Sequence, residues 1–294
     1  MAREARHVNI ISGENVMEKT MLALKFSARF MAGSCLSAAL AFNAMAQPAP
    51  AFEPKVGQRG KDVVWVPTPQ PTVERMLDMA KVTPQDYLMD LGSGDGRTVI
   101  TAAKRGATAK GIEYNPDMVT LSQKNAQAAG LTAKATFEKA DLFQSDFSKA
   151  TVITMFLLPS INMQLRPKIL DLKAGTRIVS NTFTMDDWMA DETATIESTP
   201  NGERCESWCT ALLWIVPAKV DGTWKAPSGA LTFSQVFQNV TGTLGAQQLA
   251  NGKLRGDQIS FTVGTTQYTG RVVGNIIEGT MTAAGKSTPW RATR

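Results

Sequence analysis

The stretch Tyr87 to Val99, YLMDLGSGDGRTV, sets an apolar run directly before three glycines at alternate positions, Gly92, Gly94 and Gly96, with Asp90 and Asp95 beside them. The run reads as a strand and the residues after Gly96 as the start of a helix, so the glycines occupy a strand-to-helix turn. Glycine at every second position suits a turn in which the backbone approaches a ligand closely. The amides of that turn, with a helix N-terminus behind them, face the ligand.

Outward from this turn, apolar strands alternate with helices. The pattern predicts strands near 86–91, 109–113, 135–139, 151–157 and 175–182, and helices near 96–105, 116–129 and 160–172. That rhythm implies a Rossmann-like, doubly wound and mostly parallel α/β sheet with crossover helices. Upstream, Thr68 is the expected N-cap and Pro69 a first-turn residue of a preceding helix. Downstream, TATIEST and CTALLWIVP flank Pro200-Asn201-Gly202 and read as an antiparallel strand pair closing the sheet. From Trp224 onward the chain changes to short alternating segments punctuated by Asn251-Gly252, Gly256-Asp257, Gly264 and Gly274-Asn275, which predicts a small all-β domain: a barrel, a half-barrel or a layer against the first domain. In QISFTV, the residues Ile259, Phe261 and Val263 are expected to share a buried face. The expected organisation is a signal peptide over 1–46, a linker over 47–61, a ligand-binding α/β domain over 62–218 and an antiparallel β domain over 223–294.

Two distant acids define the ligand. Glu113 ends the second strand, 21 residues after Gly92, where a carboxylate accepts bonds from ribose hydroxyls. Asp141, followed by Leu142, comes after the third strand, at the place where an adenine edge lies. A nicotinamide dinucleotide needs G-x-G-x-x-G aimed at a pyrophosphate. Here the spacing is G-x-G-x-G, and the Asp95 carboxylate would repel pyrophosphate while suiting a ligand with an ammonium and a sulfonium. S-adenosylmethionine carries both.

The segments DVVWVPTP, DLGSGDGRTVITAAKRGA, GIEYNP, FLLPSINMQLRPKIL, KAGTRIVSNTF and DDW, in order over Asp62 to Ala218, resemble the class I S-adenosylmethionine-dependent methyltransferases. The nearest branch is an exported bacterial group related to the lysine methyltransferases that modify small mitochondrial membrane proteins. The resemblance implies that Asp90, Gly92, Ser93, Gly94, Asp95 and Gly96 wrap the methionine moiety, that Glu113 holds the ribose and that Asp141 and Leu142 lie by the adenine. Tyr114 either packs on the ligand or caps the sheet edge. Trp65 either covers the cofactor, with Thr68 beneath it, or packs in the core. The acceptor side falls after the fourth strand, where many amine methyltransferases carry Asn/Asp-Pro-Pro-Tyr/Phe; this chain has Leu157-Leu158-Pro159, an apolar slot that suits an alkyl lysine stem. Acceptor-side candidates are Pro159, Asn162, Asn181 (where related sequences often carry His) and Trp188, the last of which also reads as a packed residue in a solvated loop.

Composition narrows the chemistry. The 294 residues are 43% hydrophobic and 19% charged, ordinary globular values, and the net charge of +5 has no basic stripe, so no nucleic-acid partner is expected. His7 is the only histidine, which excludes Ser-His-Asp and Cys-His nucleophile pairs and His-ligated zinc for the rest of the chain. No metal is expected. Lys25 and Arg29 precede FMAGSCLSAALAFNAMA, and Ala44-Met45-Ala46 offers a cleavage site, which predicts a signal peptide removed after Ala46 and a periplasmic protein without a stable membrane span. Lipoprotein attachment through Cys35 and a retained N-terminal anchor are the minority readings. Cleavage removes five basic and three acidic residues, taking the charge from +5 to +3, and leaves Cys205 and Cys209 as either a small-loop disulfide or two free thiols.

The expected activity is therefore methyl transfer (EC 2.1.1.-) to a protein amine, with the oligomeric state open. A second reading is an exported binding module for an adenosyl ligand or an envelope partner, without turnover. Synthesis of S-adenosylmethionine in the cytoplasm favours that second reading, and the full set of ligand-side residues favours the first.

Overall fold

The computed structural model describes residues 52–198 and 204–294; the expected signal peptide and the Pro200-Asn201-Gly202 turn lie outside them. The chain first forms α1 (Gln70–Met79), then β1 (Tyr87–Leu91), α2 (Arg97–Lys104), β2 (Thr108–Glu113), α3 (Pro116–Ala128), β3 (Ala135–Lys139), β4 (Val152–Met155), α4 (Pro159–Leu170) and β5 (Arg177–Asn181). β6 (Glu192–Thr195) and β7 (Thr210–Ile215) complete a seven-stranded sheet of order β3-β2-β1-β4-β5-β7-β6. β1 to β5 pair in parallel, whereas β7 is antiparallel to both β5 and β6. This is the expected Rossmann-like sheet, and its strand order reverses between β1 and β4. Ligands of such sheets bind in the crevice beyond the strand C-termini at that reversal.

Both faces of the sheet are covered. Val73 and Leu77 of α1 and Val99 of α2 bury one face, and Ile161, Leu165 and Ile169 of α4 bury the other. The first helix begins later than expected: Pro69 has an extended conformation (φ −54°, ψ 139°) and is itself the N-cap, so Thr68 lies one residue too far upstream to cap the helix. A side-chain cap does appear on α3, where Asn115 Oδ1 accepts the Asp117 amide at 2.9 Å.

A buried ion pair locks the base of the sheet. Asp86, 7% exposed, accepts bonds from the Thr83 amide at 2.8 Å and the Thr151 hydroxyl at 2.7 Å, and pairs with Arg177. Burial opposes its charge, but Arg177, Thr151 and Thr83 outweigh that and hold the carboxyl below its ordinary value. The stability this supplies is complete at neutral pH and is lost as acidification passes the ordinary carboxylate range towards the lowered folded value. Asp86→Ala, which strands the Arg177 guanidinium, is expected to cost about 3 kcal/mol and to flatten acid unfolding below about pH 4; an unchanged acid transition would refute this role.

The C-terminal segment closes into an eight-stranded antiparallel barrel: β8 (Gly222–Ala226), β9 (Gly229–Val236), β10 (Asn239–Leu244), β11 (Gln247–Arg255), β12 (Gln258–Val263), β13 (Thr266–Val273), β14 (Ile276–Ala283) and β15 (Lys286–Thr293). Two-residue turns join every successive pair, including the expected Gly256-Asp257 and Gly274-Asn275. Asn251-Gly252 is not a turn. It forms a bulge inside β11, where the register to β10 and β12 shifts and Asn251 takes φ 53°. Ile259, Phe261 and Val263 point inward as expected and pack among Trp224, Phe233 and Trp290.

The barrel also lies against the sheet domain. Phe237, in the β9–β10 turn, stacks on Trp188 at 5.8 Å between centroids, and Gln238 Nε2 donates to the Met189 carbonyl at 2.8 Å. No helix among the described residues is long and apolar enough to cross a membrane.

Candidate active site

The glycine turn forms as read. Gly92, Gly94 and Gly96 all have positive φ (80°, 53° and 82°), and the Gly92 and Ser93 amides both reach the Ile112 carbonyl, at 2.9 and 3.0 Å, which folds the turn against the end of β2. The turn walls a cavity of about 630 Å³ at the C-terminal ends of β1 and β4, within the roughly 300–1,000 Å³ range of small-molecule sites.

The acids converge on it. Glu113 Oε2 accepts the Gly94 amide at 3.0 Å and its Oε1 the Asn115 amide at 2.9 Å, so the carboxylate is fixed at the rim by the turn itself. Asp90 is 6% exposed and receives the Thr154 hydroxyl at 2.7 Å. Burial pushes its carboxyl up to about 7 against the Thr154 hydrogen bond, and repulsion from Asp95 and Glu113 adds to the rise. Asp95 turns towards Arg97, with Nη2 at 2.6 Å, and Arg97 Nη1 donates to the Thr68 carbonyl at 3.0 Å. Asp141 receives Lys61 Nζ at 2.8 Å and the Phe143 amide at 3.0 Å; the Lys61 bond, followed by the Phe143 amide, lowers the Asp141 carboxyl, while the same ion pair raises the Lys61 ammonium.

Thr68, Tyr114 and Leu142 also line this cavity. Tyr114 is 49% exposed with Lys61 Nζ 5.2 Å from its ring centroid, so it stands at the mouth rather than capping the sheet edge. Trp65 lies over the turn: a Cβ on Gly94 would come within 2.6 Å of its indole nitrogen.

These residues fit S-adenosylmethionine. A positive-φ turn leaves no room for side chains, three carboxylates oppose a cationic ligand, and Ser93 Oγ is buried without a protein partner. Sequence reasoning missed Lys61, whose partner Asp141 is distant in the chain, and Arg97, which pairs with its near neighbour Asp95 and ties it to the distant Thr68 carbonyl.

The acceptor-side candidates fare differently. None of Pro159, Asn162, Asn181 and Trp188 lines the cavity. Pro159 opens α4. Asn162 is buried and its Nδ2 donates to the Phe183 and Thr184 carbonyls at 3.3 and 3.1 Å, so it holds a loop rather than a ligand. Asn181 is buried and receives the Thr182 hydroxyl at 2.9 Å. Trp188 is wholly buried between Phe237 and Trp214. The side chains that do face the cavity there are Phe156, Leu157, Leu158, Phe183 and Trp208. The position of Trp208 follows from strand direction. β7 runs antiparallel to β5, with Asn181 opposite Ala211, so the residues just before β7 emerge at the ligand edge.

Comparison with known proteins decides the family. The ANTKMT methyltransferase domain matches over residues 90–192. A protein-lysine N-methyltransferase of Saccharolobus islandicus is 44% identical over 138 residues, covering 46% of this chain and 86% of that protein. The chain belongs to this methyltransferase family. It is an S-adenosylmethionine-dependent methyltransferase of class I, as the sequence resemblance implied. An adenine nucleotide translocase lysine N-methyltransferase of Mus musculus is 35% identical over 118 residues, matching 40% of this chain and about half of its own length, 51%. A solved structure described as an RNA methyltransferase from Salinibacter ruber with S-adenosyl-L-homocysteine is 44% identical, covering 53% of this chain and 96% of that one, with a TM-score of 0.48.

With the cofactor class known, the roles of the chain's own residues follow. Bound S-adenosylmethionine supplies an electrophilic methyl group on a sulfonium. Glu113, fixed at the rim, would orient it, Trp65 and Leu157 would exclude water, and no general base is needed beyond what frees the acceptor lone pair. Glu113→Ala removes both a ribose acceptor and the anchor of the Gly94 amide, so calorimetry should show S-adenosylhomocysteine binding weakened at least about tenfold with the fold retained. Unchanged affinity would remove Glu113 from the site.

Proposed function

We propose that the protein methylates the side-chain amine of a protein lysine and does so after export, as a periplasmic enzyme. The observation that carries the acceptor reading is the stretch of cavity wall beyond β4 and β5, which is built from Phe156, Leu157, Leu158, Phe183 and Trp208 with no amide or carboxylate to orient a planar nucleobase or a small polar amine. An apolar slot of that kind accepts the four-carbon lysine stem. The names of the archaeal and mammalian relatives support the same acceptor. Export is supported by the apolar segment ending at Ala46 and by the Cys205–Cys209 disulfide, Cα atoms 6.0 Å apart, a bond that persists in oxidising compartments.

The test is transfer of labelled methyl from S-adenosylmethionine to an envelope protein extract and, in parallel, to total RNA, with mass spectrometry of the labelled sites. Label on lysine is expected. Label on RNA alone would overturn the acceptor reading, and tight cofactor binding without transfer to either would favour a binding protein. Fractionation of cells producing the full chain should place it in the periplasm with Gln47 at its N-terminus; cytoplasmic recovery with residues 1–46 intact would refute export.

A further inference from the structure

Three aromatic rings meet where the cavity opens beyond β4 and β5. Phe156 and Phe183 stack at 5.8 Å between centroids, 21° from parallel, and Trp208 closes the group at 5.2 Å from Phe156 and 5.7 Å from Phe183, inclined to both. All three are only partly buried and all line the cavity that holds the glycine turn.

Their placement is enforced by the chain at some cost. Trp208 has φ 59° and Thr182, next to Phe183, has φ 62°, a region that bulky and β-branched residues enter only when their surroundings compel them. Trp208 is compelled by the Cys205–Cys209 bridge one residue away and by the Thr72 hydroxyl of α1, which donates to its carbonyl at 3.0 Å. Phe183 is compelled by Ser180 Oγ and Asn162 Nδ2, which both donate to its carbonyl, at 2.7 and 3.3 Å. The two buried polar residues thus act on the site through Phe183.

From this geometry we infer that the disulfide-pinned 205–209 loop is an acceptor-recognition element whose Trp208 completes, with Phe156 and Phe183, a packed aromatic platform for an alkylammonium head, with highest affinity for an N-methylated lysine. The inference rests on the lysine-acceptor reading for its ligand and deepens it. Ring faces attract a cation through their quadrupoles, most strongly when the cation is poorly hydrated. Each methyl group on the lysine nitrogen sheds hydration and adds apolar surface, so affinity for the platform rises with methylation. The enzyme is then expected to hold mono- and dimethyl-lysine long enough to carry the acceptor to higher methylation rather than release it after one turnover.

The experiment is titration of the full chain, saturated with S-adenosylhomocysteine, with an acetylated trimethyl-lysine amide and with its neutral tert-butyl isostere. The cation is expected to bind at least about tenfold more tightly than the isostere. Trp208→Ala should abolish that preference and Trp208→Phe should keep part of it, with S-adenosylhomocysteine affinity unchanged in both as the control for folding. Cys205→Ser with Cys209→Ser should raise the acceptor KM several-fold and shift products towards monomethyl-lysine while leaving cofactor affinity alone. Equal binding of cation and isostere, no detectable binding of either at millimolar concentration, or a preference that survives Trp208→Ala would each overturn the inference. Discrimination by the platform in a protein that methylates no lysine would instead refute the lysine reading and leave the platform standing.

Discussion

Asp90→Asn is expected to weaken S-adenosylmethionine binding roughly a hundredfold at pH 8 while making the ligand-free protein more stable. Asp90 sits at the end of β1 with its carboxyl pushed up to about 7, first by burial and then by the nearby Asp95 and Glu113 charges. Displacement from 3.8 to about 7 corresponds, at about 1.4 kcal/mol per pH unit, to an ionisation penalty on the order of 4 kcal/mol. The sign follows from proton counting. Between about pH 4 and pH 7 the folded protein holds a proton on Asp90 that the unfolded chain has released, so stability falls as pH rises through that window. Asparagine keeps an oxygen for the Thr154 hydroxyl and removes the slope.

The binding effect has the opposite sign. A ligand cation beside the carboxylate, at an effective dielectric of about 20, would gain on the order of 3 kcal/mol, or roughly a hundredfold in affinity. S-adenosylmethionine carries a sulfonium charge that S-adenosylhomocysteine lacks. Affinity for the former should therefore rise more steeply between pH 6 and pH 8 than affinity for the latter, with proton release on binding near pH 7. Calorimetry in two buffers of different ionisation enthalpy measures that release. Parallel pH profiles for the two ligands in the native protein, or no loss of affinity in Asp90→Asn, would refute the assignment.

Gly96→Ala should do the most damage to the fold. Gly96 has φ 82°, and a Cβ there would lie 2.6 Å from the Phe137 ring on β3 and 2.8 Å from Ser122 Cβ on α3. The left-handed backbone costs about 1–2 kcal/mol for a residue with a Cβ, and overpacking adds about 1–3. A total near 3 kcal/mol lowers Tm by roughly 10 °C in a chain of this size. Gly96→Asn separates the two causes: asparagine relieves much of the backbone cost but none of the clash, so it should recover about 1 kcal/mol and stay destabilised by about 2 kcal/mol. Gly94→Ala provides the contrast. Its Cβ would meet Trp65, which is partly exposed and can shift, so only the left-handed backbone cost of about 1–2 kcal/mol at φ 53° remains, a smaller loss than at Gly96, while cofactor affinity falls. Full recovery of stability in Gly96→Asn would show that backbone strain alone operates.

Much of this molecule was legible in the chain because its causes are local. Alternating glycines between a strand and a helix permit a tight positive-φ turn, an apolar run before them makes a strand, and acids at the ends of the next two strands reach the same crevice by the geometry of a parallel sheet. Alternation with glycine-bearing turns likewise determined an antiparallel β domain after Trp224. What only the tertiary structure decided depends on partners far apart in sequence. Closure of the barrel requires β15 to find β8, and Asn251-Gly252 became a bulge because both neighbouring strands continue past it. Asn162 and Trp188 have the chemistry of site residues, yet packing turned one onto a loop carbonyl and the other into the contact with the barrel. Trp208 sits in a C-x-x-x-C loop with no local signal of a site, and the antiparallel pairing of β7 with β5 carries it to the mouth of the cavity. A side chain's type is written in the chain, but whether it faces ligand or core is a matter of direction, and direction is set by what packs around it.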